Sequence, residues 1–275
     1  MKSINCKGTL IDLSKPKVMG ILNVTPDSFF DGGNYSSDSK LLNQTEKMLK
    51  EGATFIDVGA YSSRPGATDI SVDEEQKRLL PVIESILKHF PATLLSIDTF
   101  RAEVARKAID TGAAIINDIS AGMLDEQMLT TVADLQVPYI MMHMKGTPQT
   151  MAGLAYYDDV LKEVLFYLSE RVAAARELGV NDLILDPGFG FGKISTHNFE
   201  LLNNAEKFEI TGLPFLIGIS RKGMIYKTLD ISAAEALNGT TVLNTIALQK
   251  GASILRVHDV REAVQAIKLL EVLSN

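Results

Sequence analysis

The chain has 275 residues, 46% hydrophobic and 22% charged, the balance of a folded protein with a sizeable core. Its net charge of −7 offers no general attraction to nucleic acid or anionic lipid, so any bound anion needs a local cluster of donors. The single Cys6 excludes an internal disulfide and fits a reducing compartment. No apolar run approaches the roughly 18–20 residues of a membrane span, and residues 1–17 lack the apolar stretch of a secretory signal. A cytoplasmic protein is expected, with neither a membrane nor a nucleic acid as partner.

In chain order, the first fifteen residues alternate apolar and polar around Lys7-Gly8, which predicts a β-hairpin. Strands are then predicted at 18–23, 54–59, 93–98, 114–118, 137–142, 183–186, 214–219 and 253–257, interleaved with amphipathic helical segments. The junctions repeat. Gly52-Ala-Thr-Phe-Ile-Asp57, Gly112-Ala-Ala-Ile-Ile-Asn117 and Gly251-Ala-Ser-Ile-Leu-Arg256 each end a helix in glycine and place a polar residue after a short apolar strand. A looser copy runs from Gly179 to Asp186. The last helix is expected to start at an Asp259 cap, with Val260, Ala263, Val264, Ile267 and Leu270 on one face. Eight β-then-α units without reversal predict the α/β class: a (β/α)8 TIM barrel with a parallel eight-stranded core and an N-terminal hairpin. With no linker or composition shift, residues 1–275 are expected to form a single domain.

Barrel enzymes carry their chemistry at the C-terminal ends of the strands. Here those ends are Asn23, Asp57, Asp98, Asn117, His143, Asp186, Ser220, and Arg256 with His258. Any one aspartate could be only a helix cap, but packing does not explain so many polar residues at one rim. The loops Asn23-Val-Thr-Pro-Asp-Ser-Phe-Phe-Asp-Gly-Gly33 and Gly59-Ala-Tyr-Ser-Ser-Arg-Pro-Gly66 have the length of functional lids. Asn23, Arg64, Arg256 and His258 form a candidate polyanion site. Gly188-Phe-Gly-Phe-Gly-Lys193 is neither a Walker loop nor a dinucleotide fingerprint. It reads as a close-approach turn offering Phe189 or Phe191 as a stacking face. The four histidines lack zinc spacing, whereas Mg²⁺ held by Asn23, loop carboxylates and substrate phosphates suits the residue types. Lys222 could be a Schiff-base lysine or a charged hydrogen-bond donor. Nearby carboxylates favour the donor.

These residues together closely resemble the dihydropteroate synthase family of pterin-binding enzymes, over nearly the whole chain. The carriers are Asn23-Val-Thr-Pro-Asp-Ser-Phe29, Ser62-Ser-Arg-Pro-Gly-Ala67, Ser96-Ile-Asp-Thr99, Asn117-Asp-Ile-Ser120, Met142-His-Met-Lys-Gly-Thr-Pro148, Asp186-Pro-Gly-Phe-Gly-Phe-Gly-Lys193, Ser220-Arg-Lys222 and Arg256-Val-His258. The resemblance implies transfer of a dihydropterin-6-methyl group from its diphosphate ester to the amine of 4-aminobenzoate, with release of pyrophosphate. It places the pterin at Asp98, Asn117, Met142, Asp186, Phe191, Lys222 and Arg256. The diphosphate falls to Asn23, Arg64, Arg256 and His258, with Mg²⁺ at Asn23. Ser63, Pro65, Ser220 and Gly223 would receive 4-aminobenzoate. Catalysis would rest on Asn23, Asp31, Arg64, Lys222, Arg256 and His258, with the first two loops closing over the reacting centre. A homodimer is the usual assembly of such relatives.

Phe30, Tyr61, Ser63 and Gly223 depart from the family pattern, Tyr61 standing where glutamate is frequent. The alternatives are a pterin-dependent methyltransferase and a non-catalytic pterin-binding paralogue. The first would not need Asn23, Arg64 and His258 as a diphosphate clamp, and no lost motif supports the second.

Overall fold

The computed structural model describes residues 2–24, 35–62 and 69–273. Two antiparallel strands, β1 (Ser3–Cys6) and β2 (Thr9–Asp12), form the N-terminal hairpin. Lys7 and Gly8 both take positive φ (53° and 84°), as a two-residue hairpin turn with the right twist requires.

Eight parallel strands follow: β3 (Lys17–Asn23), β4 (Phe55–Gly59), β5 (Leu94–Asp98), β6 (Ile115–Asp118), β7 (Tyr139–Met142), β8 (Leu183–Asp186), β9 (Leu216–Ile217) and β10 (Ile254–Val257). Their order is β8-β7-β6-β5-β4-β3-β10-β9, and a parallel bridge between Leu185 and Phe215 joins the two ends. The sheet therefore closes as a (β/α)8 TIM barrel, the predicted architecture. The seventh barrel strand is shorter than the expected 214–219. Pro214 has no N–H for a ladder, and Gly218 brings no side chain to pack.

The helices are α1 (Tyr35–Glu51), α2 (Val72–His89), α3 (Ala102–Asp110), α4 (Met128–Leu135), α5 (Val160–Glu177), α6 (Ser195–Asn203), α7 (Gly223–Leu229), α8 (Leu237–Gln249) and α9 (Val260–Leu273). Both α7 and α8 lie between β9 and β10. The repeated glycines do what their spacing predicts. Gly52, Gly112, Gly179 and Gly251 all have positive φ. In each case the next N–H reaches back five residues, as in Ala53 to Met48 at 3.0 Å and Ala113 to Ala108 at 3.0 Å. This left-handed exit satisfies a terminal helix carbonyl and turns the chain into the next strand. Asp259 stands just before α9, its backbone carbonyl accepting from Ala263 N at 3.3 Å, and both its carboxylate oxygens accept from Arg221 at 2.8 Å.

The barrel interior has two storeys. Met19, Phe55, Ile115, Ile140, Ile184, Leu216 and Ile254 form a buried apolar cluster with Ile4, Cys6 and Leu13 of the hairpin region. Residues two apart on a strand share a face, so the next inward positions are Asp57, Asn117, Met142, Asp186 and Arg256. The lower storey is thus an oily plug sealed by the hairpin, and the upper one is polar. Cys6 belongs to the plug, and burial pushes its thiol up to about 12, which suppresses thiolate chemistry. No helix among the described residues is long and apolar enough to cross a membrane.

Outside the barrel, Asp118 is a buried carboxylate with a structural task. It accepts from Ser120 N (2.7 Å), Ser120 Oγ (2.8 Å), Gly122 N (2.7 Å) and the Tyr139 hydroxyl (2.6 Å). Burial raises its pKa and these donors pull it back. Tyr139→Phe removes one donor from a buried charge, so a loss of about 1–3 kcal/mol in urea unfolding is expected, with turnover per folded molecule retained.

Candidate active site

The polar ends of the strands converge on the upper storey. Arg256 extends from β10 across the mouth: its Nε donates to Asp57 Oδ2 at 2.7 Å and its Nη2 to Asp98 Oδ2 at 2.8 Å. Asn117 Nδ2 donates to the same Asp57 oxygen at 3.2 Å. One guanidinium therefore serves two carboxylates, with Asp57 fully enclosed and Asp98 16% exposed. Burial raises Asp98 to about 7; Arg256 opposes that rise, while Asp57 and more distant acids add to it. Burial also opposes the charge on Arg256, but Asp57 and Asp98 outweigh it and keep the guanidinium protonated.

The facing wall is built by Asp186 and the loop behind it. Asp186 Oδ1 accepts from Gly188 N at 2.7 Å, which folds the loop back over the strand end. At Gly188, with φ of +71°, a Cβ would lie 1.9 Å from the His143 carbonyl oxygen. Only glycine permits that approach. Phe189 is fully buried, whereas Phe191 is partly open, so Phe191 is the available stacking face. It packs in a small cluster with Met142, Ile119 and Met151. Lys222 donates to the Phe189 carbonyl and lies 4.9 Å from the Phe191 ring centroid. Burial lowers Lys222 to about 8, and Asp186 resists that fall. Burial in turn raises Asp186 against the pull of Lys222. At neutral pH this pairing favours a charged donor over a Schiff-base amine.

A third group stands beside these walls. The Ser220 hydroxyl and His258 Nδ1 are 3.0 Å apart, and His258 N donates to Ser220 Oγ at 3.2 Å. His258 is exposed at the rim, and Gly223 opens α7 just beyond Lys222. Asn23 ends β3, in register with Gly59 of β4. Asp31, Ser63, Arg64 and Pro65 lie outside the described residues. Asp57 appeared in sequence only as one strand end among several. Its spacing of two from the apolar Phe55 was the local signal for a shared inward face; its register beside Ser96 exists only in the closed sheet. His143, another strand end, is a buried packing residue: it meets Tyr167 edge-on at 4.9 Å. Burial, Lys193 and Lys145 lower its pKa to about 2, so it is a neutral imidazole.

Among the described residues no three or more His, Cys, Asp or Glu side chains gather as metal ligands. Asn23 supplies a hard amide oxygen. A single such ligand beside a diphosphate matches the way Mg²⁺ is usually held, by few protein oxygens with water and phosphate.

The profile of the family described as pterin binding enzyme matches residues 19–258. A relative from Escherichia coli strain K12, dihydropteroate synthase, is 45% identical over 267 residues, covering 96% of this chain and 94% of its own. The Xanthomonas albilineans dihydropteroate synthase solved with 4-aminobenzoic acid superposes with a TM-score of 0.92 at 40% identity, covering 99% of this chain and 98% of that one. The enzyme of the same organism in complex with 7,8-dihydropteroate gives 0.88 at 37% identity, with 99% and 98% covered. With the family profile matched over residues 19–258 and relatives similar along nearly their whole length, the chain belongs to the dihydropteroate synthase family of pterin-binding enzymes.

Proposed function

We propose that this protein condenses 6-hydroxymethyl-7,8-dihydropterin diphosphate with 4-aminobenzoate, giving 7,8-dihydropteroate and pyrophosphate. The observation that carries the reading is the convergence of Asp98, Asn117, Asp186, Lys222 and Arg256 on one mouth, with His258 and Ser220 at its rim. A carboxylate can accept paired hydrogen bonds from the guanidine-like edge of a pterin. Asp186 takes that part. Lys222 and Asn117 supply donors, Met142 and Phe191 border the ring, and Arg256 stacks on it. The diphosphate lies between Asn23, Arg64, Arg256 and His258. Ser63 and Pro65 meet 4-aminobenzoate together with Ser220 and Gly223.

Bound Mg²⁺, held through Asn23 and the substrate's phosphates, would neutralise charge on the leaving diphosphate. Arg256 and His258 add donors to the same oxygens, so pyrophosphate departs readily. The electron-rich dihydropterin delocalises the positive charge left on its methylene, and bond breaking precedes attack. The aromatic amine is neutral near pH 7 and needs positioning more than a strong base. Asp31 and Arg64 belong to loops that shield the cation from water. Leu269, Val272 and Leu273 leave an apolar strip exposed on α9, which suits a homodimer. A cytoplasmic enzyme, one domain throughout, completes the reading.

The test is direct. With the pterin diphosphate, 4-aminobenzoate and Mg²⁺, pyrophosphate and the coupled product should appear in equal amounts and stop on addition of a chelator. Pyrophosphate without coupled product, or no reaction at all, would overturn the assignment.

A further inference from the structure

Lys193 closes the glycine-rich loop, and the proposed chemistry does not use it. The residue is enclosed, at 8% exposure, yet no carboxylate of the described residues forms an ion pair with it. Instead Nζ is ringed by acceptors: His143 Nδ1 at 2.8 Å, Gly188 O at 2.9 Å, Phe191 O at 3.1 Å and His143 O at 3.4 Å. Burial pulls the amine well below the usual lysine value and Asp186 opposes that fall, while a ring of acceptors is matched by the three protons of an ammonium. His143 must then carry its proton on Nε2 and offer Nδ1 as an acceptor. The arrangement joins the end of β7 to both sides of the loop that follows β8.

We propose that Lys193 is a positioning residue for pterin: it pins Gly188 and Phe191 against His143 and so fixes the aromatic wall and the Lys222 anchor. Three observations support this. The loop contains three glycines of positive φ, Gly188, Gly190 and Gly192, and cannot hold its shape by backbone preference. Its other ties include Gly188 N to Asp186 Oδ1 at 2.7 Å, Phe191 N to Gly188 O at 3.1 Å, Gly190 N to Asn198 Oδ1 at 2.8 Å and, from the segment before α5, the Tyr157 hydroxyl to Gly192 O at 2.9 Å; none of these reaches the end of β7 as Lys193 does. Lys222 rests on the same loop, donating to the Phe189 carbonyl and facing the Phe191 ring. Lys193 therefore grips the loop from inside and Lys222 from the mouth. Losing the inner grip lets Phe191 swing and displaces the Lys222 anchor without touching the 4-aminobenzoate side.

The inference rests on the proposed synthase reading, and wild-type turnover measured in parallel separates the two. An inactive wild type refutes that reading. For Lys193→Met, the KM for pterin diphosphate should rise about tenfold or more while the KM for 4-aminobenzoate changes less than about threefold. Direct binding of 6-hydroxymethylpterin should weaken by a similar factor; its fluorescence is free of tryptophan background because the chain has none. In Lys193→Ala, ethylamine or propylamine should restore pterin affinity by refilling the ring of acceptors. Unchanged KM values, or an equal rise in both without amine rescue, would overturn the proposal. Should both variants fail to fold, Tyr157→Phe slackens the same loop at Gly192. It must raise the pterin KM alone, and an equal or absent effect refutes the proposal.

Discussion

Replacing Arg256 with methionine is expected to abolish measurable synthesis and to weaken the fold at the same time. The guanidinium bridges Asp57 at 2.7 Å and Asp98 at 2.8 Å, and the Asp57 side chain has no exposure to water. Removing one partner of a buried ion pair leaves uncompensated charge and costs about 3–5 kcal/mol. Turnover should fall by about a thousandfold, because the same side chain serves both ring and diphosphate in the proposed site.

The pH dependence has a definite sign. A carboxyl whose folded pKa lies above its unfolded value contributes stability at low pH that disappears as pH rises through the folded value. In the wild type Asp98 already behaves this way, raised to about 7 by burial despite Arg256. Without Arg256 the rise must be larger. The stability deficit of Arg256→Met should therefore be greatest near pH 8 and shrink on acidification toward pH 5.5. Urea unfolding of both proteins at the two pH values measures it. A deficit independent of pH would mean that the carboxylates do not feel the guanidinium.

Lys222→Met is the second large effect, expected to lower kcat/KM for the pterin diphosphate by about 10²–10³-fold. Burial brings Lys222 down to about 8 even though Asp186 favours its charge. The charged form is the hydrogen-bond donor, so activity of the free wild-type enzyme should decline as pH rises through about 8. Because kcat/KM reports ionisations of the free enzyme, the limb belongs in that parameter. In Lys222→Met it should vanish, leaving a flat, low profile. If the limb persists in the variant, another group produces it and Lys222 is not the donor.

The architecture was legible because parallel strands buried on both faces read as short apolar runs, and each run ended in a polar residue. The glycine junctions gave helix ends to within a residue or two, since a left-handed exit has few chemical solutions. Register was not legible. Sequence spacing shows that Asp98 and Ser96 share a face, but not that Asp57 on β4 lies beside Ser96 or that Arg256 reaches both carboxylates. Such links cross 199 and 158 residues of chain and arise only once the barrel closes. His143 misled for a related reason. A polar residue one step past a strand can turn inward to packing, and the stationing of Lys193 against it has no local signature. Asp118 was equally ambiguous, adjacent to a site residue yet on the opposite face of the strand.

The closure of the ring of strands has a consequence for how substrate enters. Seven of the eight joints are continuous ladders, but β8 meets its neighbour through the lone Leu185–Phe215 bridge, with Leu185 N bonded to Pro214 O at 3.0 Å. The strand ends on either side of that thin seam carry Asp186 and Ser220 to Lys222, the two walls of the proposed pterin site. Thermal breathing of the barrel should therefore widen the pocket along one axis, parting the acidic wall from the lysine wall. The amide of Leu185 would trade its proton for deuterium sooner than those within β4 or β5, and occupancy by a pterin bridging both walls would slow that trade more than any other in the barrel.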